Sequence, residues 1–372
     1  MSSPTATGQA TSAAERPAAA SAAAGSPSAA SDTVPAQIEA QVIEVAPQVE
    51  EENDDDADSA VGDGQNSTAS ITSSILEYRT IQGRRFHSER HDTKYFTPND
   101  DQQSESVDIT HHYLNILLDD KLYLAPIDEN VEKVLDVGTG TGIWAMDFAD
   151  EHPNTHITGT DLSPIQPAWV PPNVHFEIDD CTQPWTWDPD TFDFIHMRYL
   201  FGAIIDWGAL FKEAYRACKP GGWVQSGEAE VEFRSDDGTI PEDSAMASLW
   251  WKLYVEGGAR LGRPFDVISK DLQKKSMEEA GFVDIVEKTF KLPVGGWPAD
   301  PKLAEVGRYV QLTMENDIEG YTLLMWNSIL QWPKDEYQIF LMQMRKELRS
   351  RKIHSFMTVK YVYGRKPEEK AA

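Results

Sequence analysis

An α/β architecture, with a mainly parallel sheet of seven strands covered by helices on both faces, is what this 372-residue sequence predicts, and three observations carry it. Residues 131–164, VEKVLDVGTGTGIWAMDFADEHPNTHITGTDLSP, read as strand, glycine loop, helix and second strand in unbroken order. Strand and helix patterns go on alternating to about residue 232. Two late strand patterns, GFVDIVEKTFKLPV and IHSFMTVKYVYGRKP, then follow without that rhythm, separated by a long helical insertion.

The first unit sets the pattern. Val134, Leu135 and Val137 form the apolar run of a strand buried on both faces. Gly138, Gly140 and Gly142 follow, where the absence of a Cβ lets backbone approach a ligand, and Ile143 to Ala149 has helical apolar spacing. Strands are expected at about 133–137, 156–160, 174–178, 193–197, 222–232, 282–291 and 353–364, with helical stretches between the first five. Upstream, Val107, Leu114, Leu117 and Leu118 line one side of a helix, so residues 75–130 are expected to form a helical lid over a 131–235 core. Residues 236–372 bring helices around 241–259 and 300–350 to the same crevice, together with the two late strands.

Residues 1–74 read as a disordered tail. The first 70 are rich in Ala, Ser, Pro and Thr, hold no aromatic residue, and carry 12 acids against the single base Arg16, which is −11 of the net charge of −28. The folded part is therefore acidic as well, which disfavours direct binding to nucleic acid; the basic stretch Arg345 to Lys352 reads as a solvated helix end. Two cysteines, Cys181 and Cys218, fit neither a disulfide framework nor a zinc cluster. With no secretory pattern and no 18-residue apolar run, an intracellular protein, cytoplasmic or nuclear and not in a membrane, is expected, and the sequon at Asn66 reads as unused.

The glycine spacing bears on the ligand. The loop is GxGxG, whereas a dinucleotide fingerprint wants a third glycine where this chain has Ile143. Asp136, two residues before the loop, repels a pyrophosphate and favours a cation. S-adenosylmethionine, with its sulfonium and α-amino groups, suits that charge. In an open sheet of this kind Gly138, Asp161, Asp180 and the residues after Asp193 converge at the carboxyl ends of the strands.

On these segments, with FDFIHMRYLF and KPGGW further on, the chain resembles the Rossmann-like class I S-adenosylmethionine-dependent methyltransferases. Over about 75–366 the stretches GTGIWAMDFA, DLSPIQPAWVPPNVHFEIDD and YRACKPGGWVQSGEAEVEF are similar to the fungal LaeA-like regulators of secondary metabolism, with Thr139 where many relatives carry Cys. The resemblance implies a terminal antiparallel strand pair, Asp161 on the ribose hydroxyls and Asp180 on the adenine edge. It places Asp136, Gly138, Thr139, Gly140, Gly142, Leu162, Cys181 and Arg198 around the same cofactor. It also implies a role in secondary metabolism and velvet-type regulatory proteins as partners in the nucleus.

Methyl transfer needs alignment and exclusion of water more than a nucleophile, and a base only where the acceptor loses a proton. His196 and Glu228 are the candidate bases. Trp250, Trp251, Trp297, Trp326 and Trp332, with Tyr95 and Phe96, are candidates for an apolar acceptor wall, with core packing the competing reading. Two other classes compete: a cofactor-binding scaffold, which would show an open cleft, and a nicotinamide-dependent dehydrogenase, disfavoured by the loop spacing.

Overall fold

The computed structural model describes residues 43–44, 78–88 and 95–368. The expected tail lies outside the described residues except at Ile43 and Glu44. There the chain packs: Ile43 is buried, and the Glu44 carbonyl accepts from the Ala299 N–H at 2.7 Å.

The described chain opens on a hairpin the sequence reading did not foresee, β1 (Arg79–Ile81) and β2 (Arg84–Phe86), joined through Gln82 and Gly83, both at positive φ. A two-residue turn in that region matches the right-handed twist of the strands it joins. Helix α1 (Asp101–Leu117) follows, with the Asp100 carboxylate accepting from the Gln103 N–H as N-cap. It is the expected lid helix, burying Leu114 and Leu117.

The core then runs β3 (Lys133–Val137), α2 (Ile143–Glu151), β4 (His156–Asp161), β5 (Val174–Ile178), β6 (Phe192–Arg198), α3 (Trp207–Ala217) and β7 (Cys218–Arg234). Helices α4 (Trp251–Leu261) and α5 (Leu272–Ala280), β8 (Val283–Pro293), α6 (Pro301–Leu324), α7 (Lys334–Leu348) and β9 (Phe356–Arg365) complete it. The sheet order is β5-β4-β3-β6-β7-β9-β8; the first five are parallel, and β9 lies antiparallel between β7 and β8. Strand order reverses at β3 and β6, which opens a crevice beyond Val137 and Arg198.

Helices were expected in all four connections among the first five strands, and two lack them. Residues 162–173 contain Pro164, Pro167, Pro171 and Pro172, and residues 179–191 contain Pro184 and Pro189. Each proline removes an N–H and pushes its predecessor out of the helical region. The fifth strand, expected from about 222, already starts at Cys218 as β7, and Gly221, at φ +80°, bends it while the register against β6 shifts between Phe192 and Phe194.

Alternation along the strands sorts the core and sets up the site. Val134 and Phe194 pack with Trp144 and Phe148 of α2, while Leu135, Val137, Ile195 and Met197 pack with Phe211 and Ala214 of α3. The same period puts Asp136 and His196, direct partners in the β3–β6 register, on the α2 face.

The lid is fastened by charge. Arg84 of the hairpin bonds the Asp100 carboxylate through Nε at 2.6 Å and Nη2 at 2.7 Å, and reaches Asp317 of α6 through Nη2 at 2.9 Å and through Nη1. Asp317 is fully buried at a break in α6, where φ −135° and ψ 37° leave the helix, and it also accepts from the Gly320 N–H at 3.0 Å. One carboxylate thus restarts a helix and anchors the hairpin. Among the described residues no helix is long and apolar enough to cross a membrane.

Asp317→Ala leaves Arg84 paired with Asp100 but removes its second carboxylate and the acceptor of the Gly320 N–H. The variant is expected to lower stability by about 1.5–3 kcal/mol, read from urea unfolding. A loss under about 1 kcal/mol would mean the clamp is merely an exposed surface pair.

Candidate functional site

The glycine loop turns back on itself. Gly138, Gly140 and Gly142 all have positive φ, at 70°, 59° and 82°. The Thr139 N–H bonds the Thr160 carbonyl at 2.8 Å, the Gly140 N–H bonds Asp161 Oδ2 at 2.9 Å, and the Gly142 N–H bonds the Thr139 carbonyl at 3.0 Å. Three amides that would cradle an anion are therefore spent on the protein itself. Gln166 closes the turn by donating to the Gly140 carbonyl at 2.6 Å.

Carboxyl groups take up the space the amides leave. Asp161 also accepts from the Ser163 N–H at 3.1 Å, and burial raises its pKa to about 6 against the pull of the backbone donors at Gly140, Ser163 and Leu162. Asp180 accepts from the Thr182 N–H and hydroxyl through Oδ1, at 3.0 and 2.6 Å, while Oδ2 has one long contact of 3.5 Å to Gln183. Asp179, beside it, accepts from the Asp180 N–H at 2.9 Å. Leu162 and Cys181 line the same wall, and burial pushes the Cys181 thiol up to about 12, which leaves it protonated.

Asp136 lines the cavity and is also held within the protein. Its Oδ2 accepts from the Thr139 hydroxyl at 2.6 Å and its Oδ1 accepts from His196 Nδ1 at 2.7 Å, so both oxygens are engaged. His196 is stacked on Trp144, with ring centroids 3.7 Å apart and planes at 6°. Burial lowers the His196 pKa, so the ring stays neutral with Nδ1 protonated toward Asp136. The residue lines the cavity, and its Nε2 is buried with no hydrogen-bond partner. Arg198 is oriented rather than free: Nη2 donates to His111 Nδ1 at 3.0 Å, and His111 Nε2 meets Asp147 at 2.8 Å, which ties β6 to α1 and α2.

Two sequence-based assignments are corrected by placement. Gly142 does not line the cavity; it is the left-handed N-cap of α2, and a Cβ there would lie 2.3 Å from the Phe176 ring. Glu228 is fully buried behind the wall, where it accepts from the N–H groups of Leu200 at 3.2 Å and Phe201 at 2.9 Å and from the Ser226 hydroxyl at 3.3 Å. It holds the loop that carries Tyr199, itself strained at φ +57°. That is a positioning role, and no base can act from there.

The cavity, about 250 Å³, runs from the glycine loop to an aromatic end lined by Tyr95, Phe96, Tyr199, Phe201, Trp250 and Tyr254. Of the five tryptophans only Trp250 lines it. Trp326 is stacked on Tyr337 at 3.9 Å, Trp297 donates to the Ser355 carbonyl, and Trp251 and Trp332 pack around the helical core. The lid closes over the glycine-loop end through Asn99, which donates to Ser163 at 2.9 Å, and Asp108, which accepts from Thr141 at 2.7 Å. Sequence reasoning missed those two contacts because each joins residues more than 30 positions apart.

The family described as "Methyltransferase domain" matches residues 109–287. The chain is 38% identical over 313 residues to methyltransferase pytC of Aspergillus terreus, covering 84% of this chain and 95% of that protein. It is 32% identical over 293 residues to the secondary metabolism regulator LAE1 of Cochliobolus heterostrophus, covering 77% and 94%. The chain belongs to the LaeA-like methyltransferases. Its identity to the protein-methionine methyltransferase laeA of Emericella nidulans is 29% over 293 residues, 78% of this chain and 77% of that one. LaeA-like relatives thus include both methyltransferases and regulators of secondary metabolism, as the sequence segments implied.

For this LaeA-like chain, burial raises the Glu228 carboxyl from its ordinary 4.5 to about 8, so the folded state holds an extra proton between those values. Stability therefore falls as pH rises through that window, and Glu228→Gln is expected to flatten the fall. Chemical denaturation at pH 5 and pH 8 measures the difference; an identical slope in the variant contradicts the assignment.

Proposed function

We propose that the glycine-loop end binds S-adenosylmethionine and that its methyl group passes to an acceptor seated in the aromatic end. One observation carries this reading. The amides of Thr139, Gly140 and Gly142 are spent internally while the carboxyls of Asp161, Asp179 and Asp180 line the cavity, so this end offers acceptors and negative charge. A diphosphate would meet repulsion; a cationic ligand rich in hydroxyl and amine donors fits. When bound, S-adenosylmethionine supplies a methyl carbon already activated by positive sulfur.

The residues then divide the work. Asp161 has lone pairs left beyond Gly140 and Ser163 for two ribose hydroxyls, and Oδ2 of Asp180, or the adjacent Asp179, accepts from an adenine amine. Leu162 and Cys181 flank the ring. Gly138 and Gly140 leave space along the loop, and Arg198, fixed by His111, faces the amino-acid moiety. His196 takes the acceptor's proton at Nε2, and Asp136 stabilises the imidazolium that results. The lid clamped by Arg84, Asn99 and Asp108 keeps water out.

Hydroxyl donors favour an ionised Asp161, so donor affinity is expected to weaken as pH drops below about 6. Asp161→Ala should weaken binding by about 1.5–3 kcal/mol and Asp161→Asn should remove the pH dependence, both read by calorimetry with S-adenosylhomocysteine. Unchanged titrations would refute the assignment. His196→Gln is expected to abolish transfer of labelled methyl groups to host extract while S-adenosylhomocysteine still binds; loss of binding instead would move His196 from base to cofactor contact.

A further inference from the structure

The aromatic end of the cavity carries information about the acceptor beyond its apolar character. Its rings are held edge-to-face in a fixed lattice: Phe96 meets Phe265 at 4.9 Å and 77°, Tyr254 at 6.1 Å and 90°, and Tyr95 at 5.4 Å and 62°, while Tyr199 meets Phe201 at 5.5 Å and 63°. A wall of locked rings receives a flat partner at low entropic cost and gives little purchase to a flexible chain. Val310 and Met314 of α6 close the far side.

The charged groups near this end are all committed. Arg198 donates to His111, and Arg263 donates to the Ala203 carbonyl. Burial lowers the pKa of His87 to about 4, so it is neutral at physiological pH, and its Nε2 accepts from the Tyr95 N–H at 3.3 Å. Both guanidiniums keep their charge in these contacts, but Arg198 faces the donor's amino-acid moiety and Arg263 is held to the Ala203 carbonyl, so an anionic acceptor would lose its water without a direct ion pair, which is costly. A cationic acceptor would be drawn instead to the carboxyls at the glycine-loop end, where the donor's own positive charge belongs.

Phenol groups remain. Tyr113 and Tyr199 place their hydroxyls 3.4 Å apart on the cavity wall, burial raises the pKa of both, and it pushes the Tyr95 phenol up to about 12, so these groups stay protonated. Among the described residues lining the cavity, His196 offers a basic atom, Nε2, with no hydrogen-bond partner.

Resting on the methyltransferase reading above, we propose that the acceptor is a small, flat, uncharged and mostly apolar molecule that presents one hydroxyl of phenol or enol type and enters the aromatic end whole. Its oxygen attacks the methyl carbon. The new O–C bond forms as the C–S bond breaks, the electron pair of the C–S bond goes to sulfur and cancels its charge, and the hydroxyl proton goes to His196 Nε2.

The test uses the full chain saturated with S-adenosylhomocysteine and two probes with the same rings, 2-naphthol and naphthalene-2-sulfonate. The expected result is saturable binding of 2-naphthol, with the sulfonate weaker by about tenfold or more. Met314→Trp and, as a second variant, Val310→Phe should weaken 2-naphthol by about tenfold with the S-adenosylhomocysteine affinity unchanged, which also reports that the fold is intact. The proposal is overturned if the sulfonate binds as well as 2-naphthol, if both variants keep S-adenosylhomocysteine and leave 2-naphthol unaffected, or if S-adenosylhomocysteine binds and 2-naphthol does not. Labelled methyl groups found in protein alone would also overturn it. Failure of S-adenosylhomocysteine to bind the unmodified chain would instead remove the methyltransferase reading on which it stands.

Discussion

The inward bonding of the glycine-loop amides, to Thr160, Asp161 and Thr139, decides what the neighbouring groups can do. A loop whose N–H groups point outward is an anion site; here those donors are satisfied and what faces the cavity is carboxylate. Asp161 serves both sides at once, because its two oxygens take the backbone donors of Gly140, Ser163 and Leu162 and keep one lone pair or more for a ligand. The left-handed glycines make this possible, since no other residue turns so sharply without strain.

Buried acids elsewhere in the fold act on backbone rather than on ligands. Glu228 holds the amides of Leu200 and Phe201, Asp317 holds Gly320 and the hairpin arginine, and Asp136 fixes the tautomer of His196 through a direct cross-strand pairing. Each desolvated carboxyl is offset by hydrogen bonds whose other ends are structural. The consequence for function is rigidity: the loop bearing Tyr199, the kink in α6 and the imidazole are all fixed before any ligand arrives.

The periodic parts of the fold were legible in the amino-acid sequence because buried strands and amphipathic helices announce themselves by spacing: all seven sheet strands, α1 and the helical insertion before β9 lie where that spacing puts them. The helix-free connections were not anticipated, although their prolines were in plain view at Pro164, Pro167, Pro171 and Pro184. The Gln82–Gly83 hairpin turn left a signal too small to stand out among polar residues. Within the site, the convergence of Asp161, Asp180 and His196 followed from strand ends, but the direction of a side chain did not. Glu228 shares an alternating run with Glu230 and Glu232, and only packing shows its carboxylate turned away from the cavity. The contacts from α1 and the preceding loop to Ser163, Thr141 and Arg198 lie beyond the reach of local pattern.

The central claim is that this socket, with three loop amides spent on the protein, recognises a cationic donor by its carboxylates and repels a diphosphate by the same charge. Calorimetric titration of the purified chain with S-adenosylmethionine and, separately, with NAD tests it most directly. Saturable binding of S-adenosylmethionine with no heat from NAD is the expected result. Binding of NAD in the absence of any for S-adenosylmethionine would contradict it.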